Sequence, residues 1–388
     1  MNTLSPLLKK TVAQRNVARL AWISVVLAFC VIVFGSFVRL SDAGLSCPDW
    51  PTCYGKAAWP TAKSAASVAD HAATAIREID TTKAWREQLH RHLASILGLL
   101  VFAIAMITAW KRPLGWQQIV GAAALTALAI PLQMKGIYVA STSLVVVAEL
   151  ILILAAIRWD NSDLSRASAL VLGVIIFQAI LGMWTVTWLL KPIVVMGHLM
   201  GGLLTFALLV WIAWRASDRP LHVANLARAR MFVIIGVVLL AIQIALGGWT
   251  SANYAALACG VDFPKCGGKW MPATNFSDAF VLWRGVGVDY EGGVLDQASR
   301  AAIQIAHRTM ALIAGLYLIY LGLRLYRIPG LRARGLFLVF MVLVQVALGI
   351  ANVLMGLPLW VAVLHNAGAA ILLFLLVTVL ARLREPVL

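Results

Sequence analysis

Long apolar runs, separated by short polar segments, are the dominant pattern along this chain. A run of about 20 apolar residues is long enough to cross the hydrocarbon core of a bilayer as one helix. Ten such runs occur, so the pattern predicts ten membrane-spanning helices. They lie near residues 20–40, 90–110, 114–134, 137–157, 169–189, 193–213, 231–250, 302–323, 335–355 and 360–381.

The composition agrees with a membrane protein and excludes the soluble, disordered and fibrous classes. Of the 388 residues, 62% are hydrophobic and only 12% are charged, whereas soluble domains are nearer half apolar and a quarter charged. The formal net charge of +16 would also suit a protein that binds nucleic acid. The placement of the basic residues decides between these two interpretations.

The basic residues are distributed as in a polytopic membrane protein. If the N-terminus is cytoplasmic, every inner connection is basic, while the short outer turns carry only Lys135 and Lys191. This is the positive-inside pattern, so we expect both termini in the cytoplasm and no binding of nucleic acid. The inner basic residues are Lys111, Arg112, Arg158, Arg166, Arg215, Arg219, Arg228, Arg230, Arg324, Arg327, Arg332, Arg334, Arg382 and Arg384.

The two long outer loops, 41–89 and 251–301, repeat one motif. Each loop holds two closely spaced cysteines, and each motif ends in Asp, an aromatic residue, Pro, one variable residue and Cys. Both pairs face the oxidising side of the membrane, where disulfides persist, and neither loop offers a second close Cys or His pair for zinc. We therefore expect disulfide bonds between Cys47 and Cys53 and between Cys259 and Cys266.

Histidines repeat together with these loops. Each outer loop is followed by a span that opens with His-Arg, and the last span of each half carries another histidine. We therefore expect an all-α polytopic membrane protein of two pseudo-symmetric halves, the N-terminal half 20–214 and the C-terminal half 231–382. The spans within 114–157 form an extra helical hairpin in the first half. The matched positions are His90-Arg91 with His307-Arg308, and Gln178, Leu181, Gly182, His198 and Gly201 with Gln345, Leu348, Gly349, His365 and Gly368.

Three short segments complete this domain plan. Residues 1–19 form a cytoplasmic N-terminal segment, residues 215–230 a cytoplasmic linker and residues 383–388 a cytoplasmic tail. We expect the linker to separate the two halves, because it joins two spans through the cytoplasm.

Four of the seven histidines fall at one depth in the membrane. His90, His198, His307 and His365 each lie within about two turns of the outer end of a span, where an ionisable group is costly and marks function. Two histidines facing each other across an apolar helix bundle suit a bis-His haem. Zinc would need a third ligand, and copper would more often recruit Met or Cys. We therefore pair His90 with His198 and His307 with His365.

The other three histidines have no such pattern. His71 and His222 fall in loops, so we expect both to be solvated. His92 lies two residues after His90 and so faces a different side of the helix. We expect it to be structural or to lie at the outer surface.

The residues beside the first histidine of each pair differ between the halves. Glu87 lies three residues before His90, on the same helix face, whereas Gln304 holds this position before His307. A carboxylate beside one centre and a neutral amide beside the other predict a reactive site in the first half and a carrier or structural site in the second.

An arginine directly follows the first histidine in both halves. Arg91 and Arg308 could pair with the propionates of a haem, or they could snorkel to the membrane interface. The sequence leaves both alternatives open.

Taken together, these motifs resemble those of the haem A synthase family. The resemblance covers nearly the whole chain, although the family pattern has eight spans and ten are predicted here. It implies a fold of two pseudo-symmetric four-helix bundles, to which the extra hairpin is added. It also implies a membrane oxidoreductase of haem biosynthesis that oxidises the C8 methyl group of haem O to the formyl group of haem A, for terminal oxidases. The matching segments are 39–55, 87–91, 178–187, 198–202 and 243–250, with Cys259, Cys266, His307-Arg308 and His365-Asn366.

The resemblance also implies where the ligands bind. It places haem B, with its iron, between His307 and His365, and the substrate haem O at His90 and His198, with Glu87 essential. The disulfide-forming cysteines of the family match the four loop cysteines here. The protein would lie in the bacterial inner membrane, in contact with lipid.

The protein partners and two other functions remain open. Haem O synthase, an electron donor and oxidase assembly factors are the partners to expect of a haem A synthase, and a homo-oligomer is compatible with the sequence. A di-haem b-type membrane cytochrome would hold two permanent haems and need no Glu87. A haem transporter would release both haems unchanged. Only the enzyme would yield a haem with a new formyl group.

Overall fold

The computed structural model describes residues 12–59, 61, 80–160, 164–221, 223 and 225–384, so His71 and His222 lie outside the described residues. The described chain is helical, with isolated β-bridges instead of strands. Its helices are α1 (Val12–Leu40), α2 (Thr81–Ala109), α3 (Gly115–Met134), α4 (Tyr138–Arg158), α5 (Ser165–Thr187), α6 (Pro192–Ser217), α7 (Leu226–Ala252), α8 (Phe276–Ala279), α9 (Gln297–Tyr326), α10 (Arg332–Leu354) and α11 (Leu359–Arg382).

Ten helices of the described chain are long and apolar enough to cross a membrane, which confirms the predicted spans. The ends of the helices differ from the prediction. Helix α1 begins at Val12 and α2 begins at Thr81, well before their apolar runs. Helix α2 starts there because the Asp80 side chain accepts hydrogen bonds from the backbone N–H groups of Thr82 and Lys83. The connection between α1 and α2 therefore ends at residue 80 rather than at residue 89.

Two closed rings of four helices form the body of the protein, as the family resemblance implies. In the N-terminal ring, α1 packs on α2 and α6, and α5 also packs on α2 and α6. In the C-terminal ring, α9 packs on α7 and α10, and α11 also packs on α7 and α10. The extra hairpin, α3 and α4, packs on α2 and α5 at the periphery of the N-terminal ring.

The rings meet along α1 and α6 on one side and α7 and α11 on the other. Near the N-terminal end of α1, Trp22 stacks edge-on against Trp214 at 5.0 Å between ring centroids. The indole N–H of Trp214 donates to the hydroxyl of Thr378 on α11, at 2.9 Å. At the C-terminal end of α1, the Arg39 guanidinium donates to the Ser251 carbonyl at 3.0 Å. The interface is thus fastened at both ends.

The long loop between α7 and α9 also contacts the N-terminal ring, through a buried lysine between α5 and α6. Lys191 is 0% exposed, and its Nζ lies 3.4 Å from the centroid of the Trp283 ring and 5.2 Å from that of Trp188. A cation over an aromatic face is stabilised by the negative charge density of the ring. The Tyr290 N–H donates to the Leu189 carbonyl beside it, at 3.1 Å. The long loop of the C-terminal half is therefore held against the N-terminal half.

Candidate functional site

Each repeated histidine lies against a glycine of a neighbouring helix. A Cβ added at Gly35 would lie 2.7 Å from Cε1 of His90, which is too close for a real contact. The other three distances are 3.1–3.2 Å, so each imidazole occupies the space that a side chain would fill. The remaining pairs are Gly182 with His198, Gly247 with His307 and Gly349 with His365.

The structure places the four repeated histidines on two helices of each ring. His90 on α2 and His198 on α6 come from opposite corners of the N-terminal ring, because α1 and α5 separate these helices. His307 on α9 and His365 on α11 have the same relation in the C-terminal ring. Each ring thus carries two histidines on helices that lie diagonally across from each other. Binding of a haem between them stays a prediction.

This donor set fits haem. The Nδ1 atoms of His90, His198 and His365 are buried and make no hydrogen bond of normal geometry. Within the described ranges, no group of three or more His, Cys, Asp or Glu side chains is placed to hold a metal ion. A porphyrin supplies four nitrogen ligands of its own, so an opposed pair of imidazoles completes the coordination of its iron.

Both predicted disulfide bonds are present. The S–S distance is 2.03 Å for Cys47–Cys53 and 2.04 Å for Cys259–Cys266, and Cys30 is a free, exposed thiol. The repeated aspartate shapes each loop, because Asp49 accepts from the N–H of Tyr54 and Asp262 accepts from the N–H of Gly268, both at 2.6 Å. Burial raises the pKa of the Tyr54 phenol, and the nearby charges of Glu87 and Asp49 raise it further.

Alkylation of the unreduced protein is expected to label Cys30 alone. Each disulfide closes a short ring, which stabilises the fold by about 2–3 kcal/mol if chain entropy dominates. Mass spectrometry of alkylated peptides, with and without prior reduction, measures this. Labelling of all five cysteines without reductant would show that the two bonds do not form.

The arginines beside the histidines hold the disulfide loops. Arg91 donates to the carbonyls of Asp49 and Thr52, at 2.8 and 2.6 Å. Arg308 donates to the carbonyls of Lys265 and Asp262, at 2.9 and 3.1 Å. Each guanidinium group therefore already donates hydrogen bonds to the disulfide loop of its own half. Pairing of these arginines with propionates stays a prediction that would have to compete with these contacts.

Glu87 is buried beneath the first loop, with 5% exposure. Its Oε2 accepts from the Cys47 N–H at 2.9 Å and the Ser46 hydroxyl at 3.1 Å, and its Oε1 accepts from Arg91 at 2.5 Å. In the other half, the Gln304 amide donates to the Ala256 carbonyl at 3.0 Å. Both side chains thus bind their outer loops. A part for Glu87 in the chemistry stays a prediction.

Gln243 is a site residue that the histidine pattern did not reveal. Its amide nitrogen lies 3.1 Å from Nδ1 and 3.5 Å from Nε2 of His307. The available signal was its position four residues before Gly247, on the same face of α7. Lys191 was also missed as a buried contact, because a lysine in an outer turn is usually solvated.

Comparison with known proteins matches the chain to one family over most of its length. The family model COX15-CtaA, described as a cytochrome oxidase assembly protein, matches residues 18–134 and 134–377. The haem A synthase of Shewanella oneidensis is 40% identical over 377 residues, which cover 93% of this chain and 96% of that protein. The chain belongs to the COX15-CtaA haem A synthase family. The resemblance seen in the motifs is therefore confirmed.

More distant members of the COX15-CtaA family also match along nearly their whole length. The haem A synthase of Rhizorhabdus wittichii is 27% identical over 90% of this chain and 88% of that protein. That of Caulobacter vibrioides is 27% identical over 96% of this chain and 97% of that protein. The family match therefore extends over both rings.

Proposed function

We propose that this protein converts haem O to haem A by oxidising the C8 methyl group to a formyl group. The opposed histidine pair in each of two helix rings carries the proposal, in a chain of the haem A synthase family. One pair serves a resident haem B, and the other serves the haem O that is oxidised. Two sites of similar ligation but different surroundings suit this division.

The C-terminal ring is assigned to haem B. His307 and His365 bind its iron, and the neutral Gln304 beside them takes no proton. Bound there, haem B supplies one-electron redox chemistry. The glycines at 247 and 349 leave room for the two imidazoles and hold them in place. Residues 231–382 are therefore proposed to act as the electron-carrying half.

The N-terminal ring is assigned to haem O as substrate. His90 and His198 bind it, and residues 20–214 form the half in which the chemistry occurs. The first disulfide loop, with buried Cys47, Cys53 and Tyr54, covers the outer end of α2 and limits the access of water. Glu87 is assigned to the reaction, either by accepting a proton from the carbon that is oxidised or by keeping this loop and Arg91 in place.

The membrane arrangement follows from the charges. We assign both termini to the cytoplasm and both disulfide loops to the outer face of a bacterial inner membrane, because the inner connections are basic. Haem O synthase would supply the substrate, an electron donor or acceptor would exchange electrons with haem B, and oxidase assembly factors would receive haem A. A homo-oligomer is compatible with the peripheral position of α3 and α4.

Extracted haem tests the proposal. In a host that makes haem O but no haem A, the wild-type protein is expected to produce a haem with a formyl group, identified by chromatography and mass. Loss of a ligand in the N-terminal ring through His90→Ala should abolish this product. Recovery of haem B and unchanged haem O alone from the wild type would overturn the proposal.

His92→Ala is the matched control for His90→Ala. In the wild type, the imidazole nitrogens of His92 lie 2.8 Å from the Gln88 carbonyl and 3.0 Å from the Ala57 carbonyl. These contacts are outside the interior of the four-helix ring. We expect this variant to keep producing haem A. Equal loss in both variants would indicate damage to the outer end of α2 instead of loss of an iron ligand.

A further inference from the structure

A glutamine stands four residues before three of the four glycines that contact the histidines. These are Gln178, Gln243 and Gln345, before Gly182, Gly247 and Gly349. The exception is Val31, which stands before Gly35, the neighbour of His90. Residues four apart share a helix face. Each of these positions therefore lies one turn before its glycine in the chain, on the side of the helix that faces the helix carrying a repeated histidine.

Among the described residues, only one of the three glutamines has its amide beside an imidazole. The amide nitrogen of Gln243 lies 3.1 Å from Nδ1 of His307, whereas that of Gln345 donates to the backbone carbonyl of His365, at 2.9 Å. Gln178 instead lies against Gly201, where an added Cβ would clash with its amide. The side chain of Val31 has no group that can hydrogen-bond, and the Nδ1 of His90 is buried without a partner.

Binding of iron fixes the direction of this hydrogen bond. A neutral histidine that binds iron through Nε2 carries its proton on Nδ1, so its partner must accept. The nitrogen and oxygen of a glutamine amide are assigned from their surroundings, and exchanging them brings Oε1 to Nδ1. Oε1 of Gln243 is buried without a partner in its present orientation. The exchange therefore gives Oε1 of Gln243 a hydrogen-bond donor, which it lacks in its present orientation.

We propose that Gln243 is a positioning residue for the C-terminal haem, accepting a hydrogen bond from Nδ1–H of His307. This inference rests on the proposed place of haem B between His307 and His365. The bond fixes the ring orientation and makes the imidazole a stronger donor to iron. Val31 leaves His90 without such a bond, so the ring that must exchange its haem holds its ligand less firmly.

Gln243→Val tests this, because it gives the C-terminal ring the residue that the N-terminal ring has. The protein is purified with haem B from a host that lacks haem O, and release of haem to an excess of apomyoglobin is followed by absorbance. Loss of such a bond typically weakens metal binding 10–100-fold, so release should be about 10–100 times faster. The reduction potential should rise, because a weaker donor stabilises ferric iron less.

Gln243→Glu and Val31→Gln separate hydrogen bonding from packing. The glutamate keeps an acceptor oxygen at nearly the same position, so slow haem release and a low potential should be restored. Val31→Gln supplies an acceptor near His90, so release of a haem added to the N-terminal ring should become slower. Fast release from Gln243→Glu as well would indicate that packing, and not the acceptor, holds His307.

The outcomes distinguish this inference from the proposed function. If His307→Ala loses haem B while Gln243→Val keeps the wild-type release rate and potential, the positioning role is overturned and the haem B site stands. If His307→Ala and His365→Ala both keep a bis-His haem, the assignment of haem B to this ring is overturned. Faster release and a raised potential in Gln243→Val, restored by Gln243→Glu, would support the inference.

Discussion

Replacing His307 and His365 together with alanine is expected to give a protein that reaches the membrane without haem B in its C-terminal ring. The two imidazoles come from opposite helices of that ring, and each lies against a glycine, which has no side chain to replace it as a ligand. Alanine offers no lone pair, so coordination is lost completely. The haem-to-protein ratio of the purified variant, with its reduced-minus-oxidised spectrum, measures this loss. A full bis-His spectrum in the double variant would contradict the assignment.

A matched pair of replacements controls for damage to the fold. His90→Ala with His198→Ala removes the equivalent imidazoles from the N-terminal ring, against Gly35 and Gly182. That variant should retain haem B while losing haem A formation. Loss of haem B from both double variants, with equal membrane levels, would show that the rings depend on each other for folding instead of binding separate haems.

The membrane spans could be predicted because their signal is one-dimensional. Twenty consecutive apolar residues have few alternatives to a transmembrane helix, so all ten were found. The helix ends were harder to predict, because hydropathy detects only the part of a helix that lies in the hydrocarbon core and not its full length. The first nine residues of α2 lie beyond the apolar run and are set by the Asp80 cap and by burial of Glu87 and Gln88 under the loop.

The histidines and cysteines could be predicted because rare residues recurred in register. A repeat of apolar residues carries little information in a membrane protein, whereas His90 and His307 recur beside matched cysteine loops. The contacts of Gln243 and Lys191 could not be predicted, since they depend on how helices rotate and where a distant loop lies. Trp283 reaches Lys191 only because the second loop crosses to the other ring.

The two arginines show why local spacing can mislead. Their position beside a histidine suggested that they pair with haem propionates or extend to the membrane interface. Both alternatives were based only on the helix that carries the arginine. The structure adds the loop: Arg91 and Arg308 donate to carbonyls of the disulfide turns, which the sequence places more than 35 residues away. The same contacts recur in both halves, so they belong to the repeated unit and not to one site's chemistry.

Glu87→Gln is expected to keep the fold, the membrane level and the haem B content while haem A formation falls about 10²–10⁴-fold. The amide has nearly the same size as the carboxylate, and its oxygen can still accept from the Cys47 N–H. It can neither take up a proton as a carboxylate does nor form an ion pair with Arg91. Haem A per protein, measured by extraction from membranes, reports the loss.

The contacts of Glu87 allow two routes to the same loss, and the disulfide beside it tells them apart. If the carboxylate acts in the chemistry, the Gln variant should keep Cys47–Cys53 as resistant to a mild reductant as in the wild type. If it acts by holding the loop, the bond should be reduced faster, and Arg91→Gln should lose both activity and resistance in parallel, because Arg91 joins Glu87 to the same loop. Haem A formation at the wild-type rate in Glu87→Gln would remove Glu87 from the active site under either route.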